Sequence, residues 1–505
     1  MIIDLIKTFF PSNDCFISLI SILGILGTGT FFLIYANKKE MLNPSLEQYL
    51  LADKQIGKKD FAGSFIASGI SLGGWIIYFI SCHKIYGWLM LIGPIFYVIT
   101  NVIFVLVLKK INPVQMDYKT VSELWFAVFP CKIIAKCISI MSAIACLFLF
   151  FIEVHVGSAI LYILLPKYIL FKHLSFFFIG LTVLVYAYRG GYLTVVKTDI
   201  LQLMLICAAS LALCVLAISL PTHYGYNNNM INRIFTYQQP NNLVGIFVAW
   251  VIMNNICGCL VEPTALQRIN AAKNIKEAFS GLLYSMWGFV LILSILLFSF
   301  MLIYIKGYNY NNLEEFLYIV KNQTGTFKFI IYPIIVVGFS AALFSTADTN
   351  AIAVIYNICD KNTFASIFKK DHSKQRAFLK KLMIWVFGSV ILLMTILHYI
   401  METKLGTLIT PTLFILWGIL SMIAPLNIYA LYRLARKLPI MQANILQKSN
   451  LLIFFGLHIG IIIYGAIKAF ITGKLIYIHS FSLLAITIMS IGVLTTAWLD
   501  QKSYN

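Results

Sequence analysis

Apolar stretches recur along almost the whole chain, at lengths that match a lipid bilayer. About 20 apolar residues cross the hydrocarbon core as a helix. The 505 residues contain about thirteen such stretches: 15–36, 61–82, 86–108, 133–165, 173–188, 192–218, 241–261, 278–305, 327–357, 381–402, 407–431, 450–470 and 476–498. This pattern predicts an all-α polytopic membrane protein, with one transmembrane domain over residues 1–505. The first stretch, Cys15 to Ala36, follows a polar start and precedes no small-residue cleavage site, so it is expected to remain as a span and not to act as a signal peptide.

Composition narrows the class further. Hydrophobic residues make up 60% of the chain and charged residues 11%, which fits a membrane protein and excludes a nucleic-acid-binding one. A net charge of +19 matters through the loops that carry it, because cytoplasmic loops hold the Lys and Arg excess. With the N-terminus outside, roughly 26 of the basic residues fall inside, about 11 outside and Lys197 within a span. The inner clusters are Lys38-Lys39 with Lys54, Lys58 and Lys59; Lys109, Lys110 and Lys119; Arg268, Lys273 and Lys276; Lys361 through Lys381; and Arg433, Arg436 and Lys437. An N-terminus outside, a C-terminus in the cytoplasm and a location in the plasma (inner) membrane are therefore expected.

Polar groups at membrane depth mark where chemistry is expected. Within 327–357 the run Gly338 to Asn350, GFSAALFSTADTN, places Ala342, Ser345 and Thr346 at i, i+3 and i+4, on one helix face. A backbone carbonyl and two hydroxyl oxygens there suit a small hard cation; small-residue helix contact with hydroxyls bonded to the preceding turn is the alternative. Two spans are interrupted. Residues 61–82 contain Gly63, Gly69, Gly73 and Gly74, and 241–261 carries Asn254, Asn255 and Gly258. Irregular backbone at that depth is tolerated where it lines a cavity or is buried in protein. A matched pair of breaks five spans apart points to inverted repeats, with a solute site where the breaks face each other.

Further polar residues in spans are Asp199, Asp348 and the pair Glu153 and His155. For Asp199, pairing with Lys197 or reaching to water is the alternative to a functional role. Glu153 can pair with a polar neighbour and lock helix packing. Trp75, Tyr78, Trp250, Asn254 and Asn255, with Glu153, are the candidate walls of a solute cavity. Ten cysteines lie scattered through apolar runs, and Cys257-x-Cys259 has no second pair to complete a zinc site. Eight histidines show neither HExxH nor another paired spacing, so no enzyme is expected.

Four segments carry a resemblance to a known family. They are Ala67 to Gly87; Tyr188 to Gln202, YRGGYLTVVKTDILQ; Glu262 to Ala278, EPTALQRINAAKNIKEA; and FSAALFSTADTNAIAVIYNICDK. In this order they resemble the sodium:solute symporter family, which includes sodium/proline, pantothenate, sialic acid, glucose and choline carriers. The likeness covers spans two to nine, and spans ten to thirteen fit by number. It implies a leucine-transporter-type core of inverted repeats, about 61–218 and 241–431, with 15–36, 450–470 and 476–498 as added helices.

The resemblance also implies a sodium site between the first and eighth core helices, formed by the backbone oxygens of Ser68, Ser71 and Ala342 and the side-chain oxygens of Ser345 and Thr346. Asp199 would line the ion's inward exit route. In relatives with a second sodium site this aspartate joins three hydroxyl positions of the eighth core helix; one of these is Ala342 here, so one sodium per solute is expected. Because the third core helix flanks the solute cavity in that fold, the resemblance implies that Glu153 recognises an amino group or carries a proton, as the alternative to locking helix packing. The proline carriers' acidic residue in the first core helix corresponds to Ile70, which sets proline specificity in question. The expected function is sodium-coupled uptake of a small organic solute, an amino acid such as proline or a similar metabolite, by a monomer with Na+ as coupling ion and no organic cofactor. A proton-coupled carrier of the same fold and a transporter-like nutrient sensor are the alternatives; the tail after Leu499 is too short to hold a signalling domain, so sensing would need a partner.

Overall fold

The computed structural model describes residues 13–38, 46–110, 120–164, 169–222, 245–253, 263–323, 328–359, 372–400, 418, 421, 423–441, 445–472 and 476–502. Among these, nine helices are long and apolar enough to cross a membrane. The chain is an integral, all-α membrane protein. Extended pairing among the described residues is confined to one isolated parallel bridge, Ile56 with Ala272.

In chain order the helices are α1 (Asn13–Lys38), α2 (Leu46–Leu51), α3 (Lys58–Gly69), α4 (Ile77–Tyr86), α5 (Ile92–Lys110), α6 (Val121–Val128), α7 (Lys132–Leu164) and α8 (Ile169–Ser219). They continue as α9 (Pro263–Ala271), α10 (Ile275–Ile305), α11 (Leu313–Gln323), α12 (Lys328–Ile358), α13 (His372–Ile400), α14 (Ile423–Ala435), α15 (Ile445–Thr472) and α16 (Ile476–Lys502). Residues 245–253 are also helical. The expected spans 173–188 and 192–218 both lie in α8, whose backbone turns at Gly191 (φ 60°, ψ −167°). That left-handed φ suits glycine, and a Cβ there would stand 2.9 Å from the Tyr49 carbonyl oxygen.

Faces sort by what they meet. On α10, Leu283, Trp287 and Leu291 recur every four residues and are exposed, while Leu282, Met286, Phe289 and Leu293 are buried; the exposed stripe is the lipid-facing side. Its N-terminus is capped by Asn274, whose Oδ1 accepts from the Glu277 amide at 3.0 Å. By contrast, α12 is buried on all sides from Phe339 to Tyr356. It lies against α8 and α7, with α1 and α3 beside it. Close approach to α8 depends on Gly338, where a Cβ would meet Ala209 Cβ at 2.2 Å and the Leu205 oxygen at 2.6 Å. Thus the hydroxyls and carboxylate of this segment are enclosed in protein.

Polar pairs link helices far apart in the chain. Lys197 Nζ pairs with Asp60 at 2.6 Å, Ser139 donates to the Asn357 carbonyl at 2.7 Å, and Arg433 pairs with Asp500 at 2.9 Å. Lys306 donates to the Ile218 and Leu220 carbonyls at the C-terminal end of α8, where a cation satisfies orphan acceptors. Burial there lowers the pKa of its ammonium.

Candidate ion and solute site

The second hydrophobic stretch breaks where its glycines cluster. The α3 helix stops at Gly69; Ile70 (φ −87°, ψ 76°) and Ser71 (φ −75°, ψ 137°) leave helical geometry; a wide turn at Leu72–Ile76 then restarts the helix into α4. Such a break leaves carbonyls without their usual partners four residues on. One of them, Ser68 O, accepts from Thr346 Oγ1 of α12 at 3.1 Å. The same hydroxyl lies 3.1 Å from Ala342 O. A single proton serves both carbonyls, so these three oxygens converge with lone pairs to spare.

Ser345, one residue earlier, serves a different partner. Its Oγ donates to Asp199 Oδ1 at 2.5 Å, and Ser64 Oγ donates to Oδ2 at 2.5 Å. Asp199 is completely buried. Arg268, on α9, reaches into the bundle, is itself buried, and acts on this carboxylate from beyond Ser64 and not through a direct ion pair. The guanidinium donates to Ser68 Oγ, with Ser64 Oγ at 3.4 Å and Thr349 Oγ1 at 3.5 Å. It thereby joins α3, α9 and α12 around the carboxylate. Lys197 is engaged at the surface with Asp60 instead. Asp348 is held by Tyr186, whose hydroxyl lies 2.6 Å from Oδ2 and 3.2 Å from the Phe344 oxygen.

On the other side of the break, Ser71 faces α7. Its hydroxyl donates to Glu153 Oε1 and accepts from the Gly74 amide at 2.6 Å; its carbonyl accepts from Ile76 N at 3.3 Å. Gly73 N lies 3.1 and 3.2 Å from the two Glu153 oxygens. Glycine is required there by approach: a Cβ on Gly73 would meet Ile152 at 2.7 Å and Glu153 Oε1 at 3.2 Å. His155, a near neighbour on α7, stands beside the rings of Phe151 and Phe176.

Beyond Gly73 the half-helix carries an aromatic layer. Trp75 and Tyr78 are half-buried, with ring centroids 6.2 Å apart. Tyr78 stacks on Phe247 at 6.5 Å. His479 then links Phe247, at 5.9 Å, to Trp250, at 4.4 Å. So Trp75, Tyr78 and Trp250 belong to one continuous layer between α4 and the 245–253 helix. Asn254 and Asn255 lie outside the described residues.

The expected site residues therefore divide into three adjoining groups. Ser68, Ala342 and Thr346 meet directly; Ser345 and Asp199 meet next to them; Ser71 turns towards Glu153. Sequence reasoning counted Arg268 only as a loop charge and did not single out Ser64, Tyr186 or Thr349. A usable signal for Arg268 was its place in a short amphipathic segment, PTALQRINA, whose apolar positions Ala265 and Ile269 are buried beside it.

No family model matches the chain, and no curated protein matches it by sequence. Solved structures do match. A Na+-coupled sialic acid symporter, in a substrate-bound outward-open state, superposes with a TM-score of 0.68 at 14% identity, over 95% of this chain and 98% of that one. The chain has the leucine-transporter-type fold. A nucleobase-cation-symport-1 family transporter with bromovinylhydantoin bound gives 0.54 at 14% identity, over 92% and 96%. The manganese transporter of Eremococcus coleocola gives 0.50 at 14% identity, over 93% and 98%. In the leucine-transporter-type fold, solute and ions bind near the midplane beside discontinuous helices, and the α3–α4 break is such a discontinuity.

Proposed function

We propose that this protein is a sodium-coupled symporter that brings a small organic solute into the cell by alternating access. The observation that carries this reading is the meeting of Thr346 Oγ1 with Ser68 O and Ala342 O at the break in a buried helix. Hard cations of sodium's size take oxygens at about 2.3–2.6 Å, which sets neighbouring ligands roughly 3.3–3.7 Å apart. The 3.1 Å separations need only a small expansion to admit an ion. Ser345 Oγ, with lone pairs left after donating to Asp199, is the fourth ligand, and the Ser71 carbonyl is the fifth. The two helices that supply these oxygens are then held together by the ion.

A shell of carbonyls and hydroxyls without a bound carboxylate holds sodium weakly enough to release it. Asp199, Ser64 and Arg268 stand next to it and form the inward exit route. The nearby carboxylate draws the ion on, and Arg268 must give way before it leaves. A tenfold sodium gradient supplies about 1.4 kcal/mol and 100 mV about 2.3 kcal/mol per charge, together enough for roughly 500-fold accumulation of a neutral solute. The three solved structures named above are of transporters, in keeping with a role that is not enzymatic. The protein acts as a monomer in the plasma (inner) membrane, N-terminus outside and C-terminus in the cytoplasm.

Uptake of labelled solutes into proteoliposomes, with a sodium or a proton gradient imposed separately, tests the proposal. Accumulation should follow the sodium gradient. Accumulation driven by the proton gradient alone would replace sodium with protons as the coupling ion.

A further inference from the structure

Glu153 is buried to 1% exposure, and every group that binds it is a neutral donor. Ser71 gives its hydroxyl, and Gly73 and Leu72 give backbone amides at the start of the restarted helix. No Lys, Arg or His among the described residues forms an ion pair with it. Asp199, also beside the break, has Arg268 close by, and Asp348 is held by the Tyr186 hydroxyl; no cation among the described residues is paired with Glu153. A carboxyl group at this depth without a fixed counter-charge is costly unless a mobile cation arrives.

Its position is also telling. The N-terminal end of a discontinuous helix in such folds points its positive dipole at an anionic group of the solute. Here the protein's own carboxylate fills that place, and Gly73 lacks a side chain that would keep it out. A solute carboxylate would have to displace Glu153 and would meet its charge. Two and five residues further along the same half-helix stand Trp75 and Tyr78, half-buried, with ring faces that attract cations. The amides that hold Glu153 and these two rings lie on one restarted helix, so a buried anion and an aromatic layer share it, a setting for an organic cation.

We infer that the transported solute is an organic cation, an amine, guanidine or quaternary ammonium lacking a carboxylate, held between Glu153 and the rings of Trp75 and Tyr78. This rests on the reading of the chain as a sodium-driven carrier and narrows its solute class away from proline-like amino acids. Glu153 holds the cationic head and the aromatic layer sets the size of the remainder. Co-transport with sodium then moves about two positive charges per solute, so a membrane potential drives it twice as strongly as it drives a neutral solute.

Matched pairs differing by one carboxylate test this on the full-length protein: pyrrolidine against proline, agmatine against arginine, choline against glycine betaine. Binding is read in sodium by tryptophan fluorescence and by the shift in thermal unfolding, and uptake with its charge movement in proteoliposomes. The carboxylate-free member of at least one pair should half-saturate at a tenfold or lower concentration than its partner. Glu153→Gln should raise that concentration about tenfold or more, and Glu153→Asp should recover part of the loss. The wild-type comparison stands alone if Glu153→Gln does not fold. Preference for the acid members, no binding of any of the three cations, or unchanged binding in Glu153→Gln would overturn the inference. Sodium-driven uptake of a neutral or anionic solute, indifferent to Glu153→Gln, would overturn it while leaving the carrier reading intact. Failure of a sodium gradient to drive uptake of any solute would remove the basis of both, and cation uptake driven by protons alone would mark Glu153 as a proton carrier and overturn the inference.

Discussion

Thr346 of α12 donates to the carbonyl oxygen of Ser68, the penultimate residue of α3, across 278 positions of sequence and 3.1 Å of space. The bond forms because α3 ends in mid-membrane and leaves that carbonyl without a helical partner. Thr346→Val keeps the shape of the side chain and removes the hydroxyl. The buried Ser68 oxygen then loses its donor, at about 1–3 kcal/mol, so the apparent melting temperature in sodium-free buffer should fall by several degrees and sodium should restore less of it than in wild type. Thr346→Ser should retain both properties. Equal sodium-dependent stabilisation in all three proteins would remove Thr346 from the ion site.

Asp199 lies beside this cluster, bonded to Ser345 and Ser64. The change Asp199→Asn preserves volume and removes the charge proposed to draw the ion inwards. It should slow sodium release to the inside more than binding from outside, seen as a normal binding transient followed by slowed turnover in rapid current measurements on proteoliposomes. Equal slowing of both phases would leave Asp199 with a structural role only.

Much of this fold is legible in the sequence, because in a bilayer each apolar run of sufficient length has one stable outcome. The position of α12 and the interruption between Gly69 and Leu72 follow from glycine content and from hydroxyls set at helical spacing. Partnerships across the bundle are less legible. Ser71 lies only three residues after Ser68, yet the non-helical backbone at Ile70 and Ser71 turns its hydroxyl to Glu153 on α7, and no periodicity rule extends across a break. Arg268 was hidden for a similar reason. A basic residue after a span looks like a loop charge, until the short helix α9 is seen to insert it among Ser64, Ser68 and Thr349.

Arg268 carries a prediction of its own. With the guanidinium removed in Arg268→Met, the hydroxyls of Ser68, Ser64 and Thr349 lose their shared donor and Asp199 stays buried without the cation beyond Ser64, a buried polar loss of about 1–3 kcal/mol. A clear drop in thermal stability and loss of uptake are expected. Combining Arg268→Met with Asp199→Asn should cost less than the sum of the two by about 0.5–3 kcal/mol. Strict additivity in unfolding experiments would mean that the two residues do not act as a pair.

Contact between α12 and α8 gives a purely structural check. A Cβ at position 338 would stand 2.6 Å from the backbone oxygen of Leu205, which cannot rotate away, whereas positions 245 and 388 have nothing within 4 Å. Gly338→Val should therefore abolish a monodisperse peak on size-exclusion chromatography, while Gly388→Ala should not change it. A well-folded Gly338→Val protein would show that the two helices are not in close contact.

The most direct measurement of the central claim is the sodium concentration for half-maximal solute uptake, compared between the wild type and the double variant Ser345→Ala/Thr346→Ala. Two of about five oxygens of the proposed ion site are lost in the variant, so the value should rise by about tenfold or more, with the solute concentration dependence at saturating sodium changed far less. An unchanged sodium requirement in a variant that still folds and transports would contradict the account.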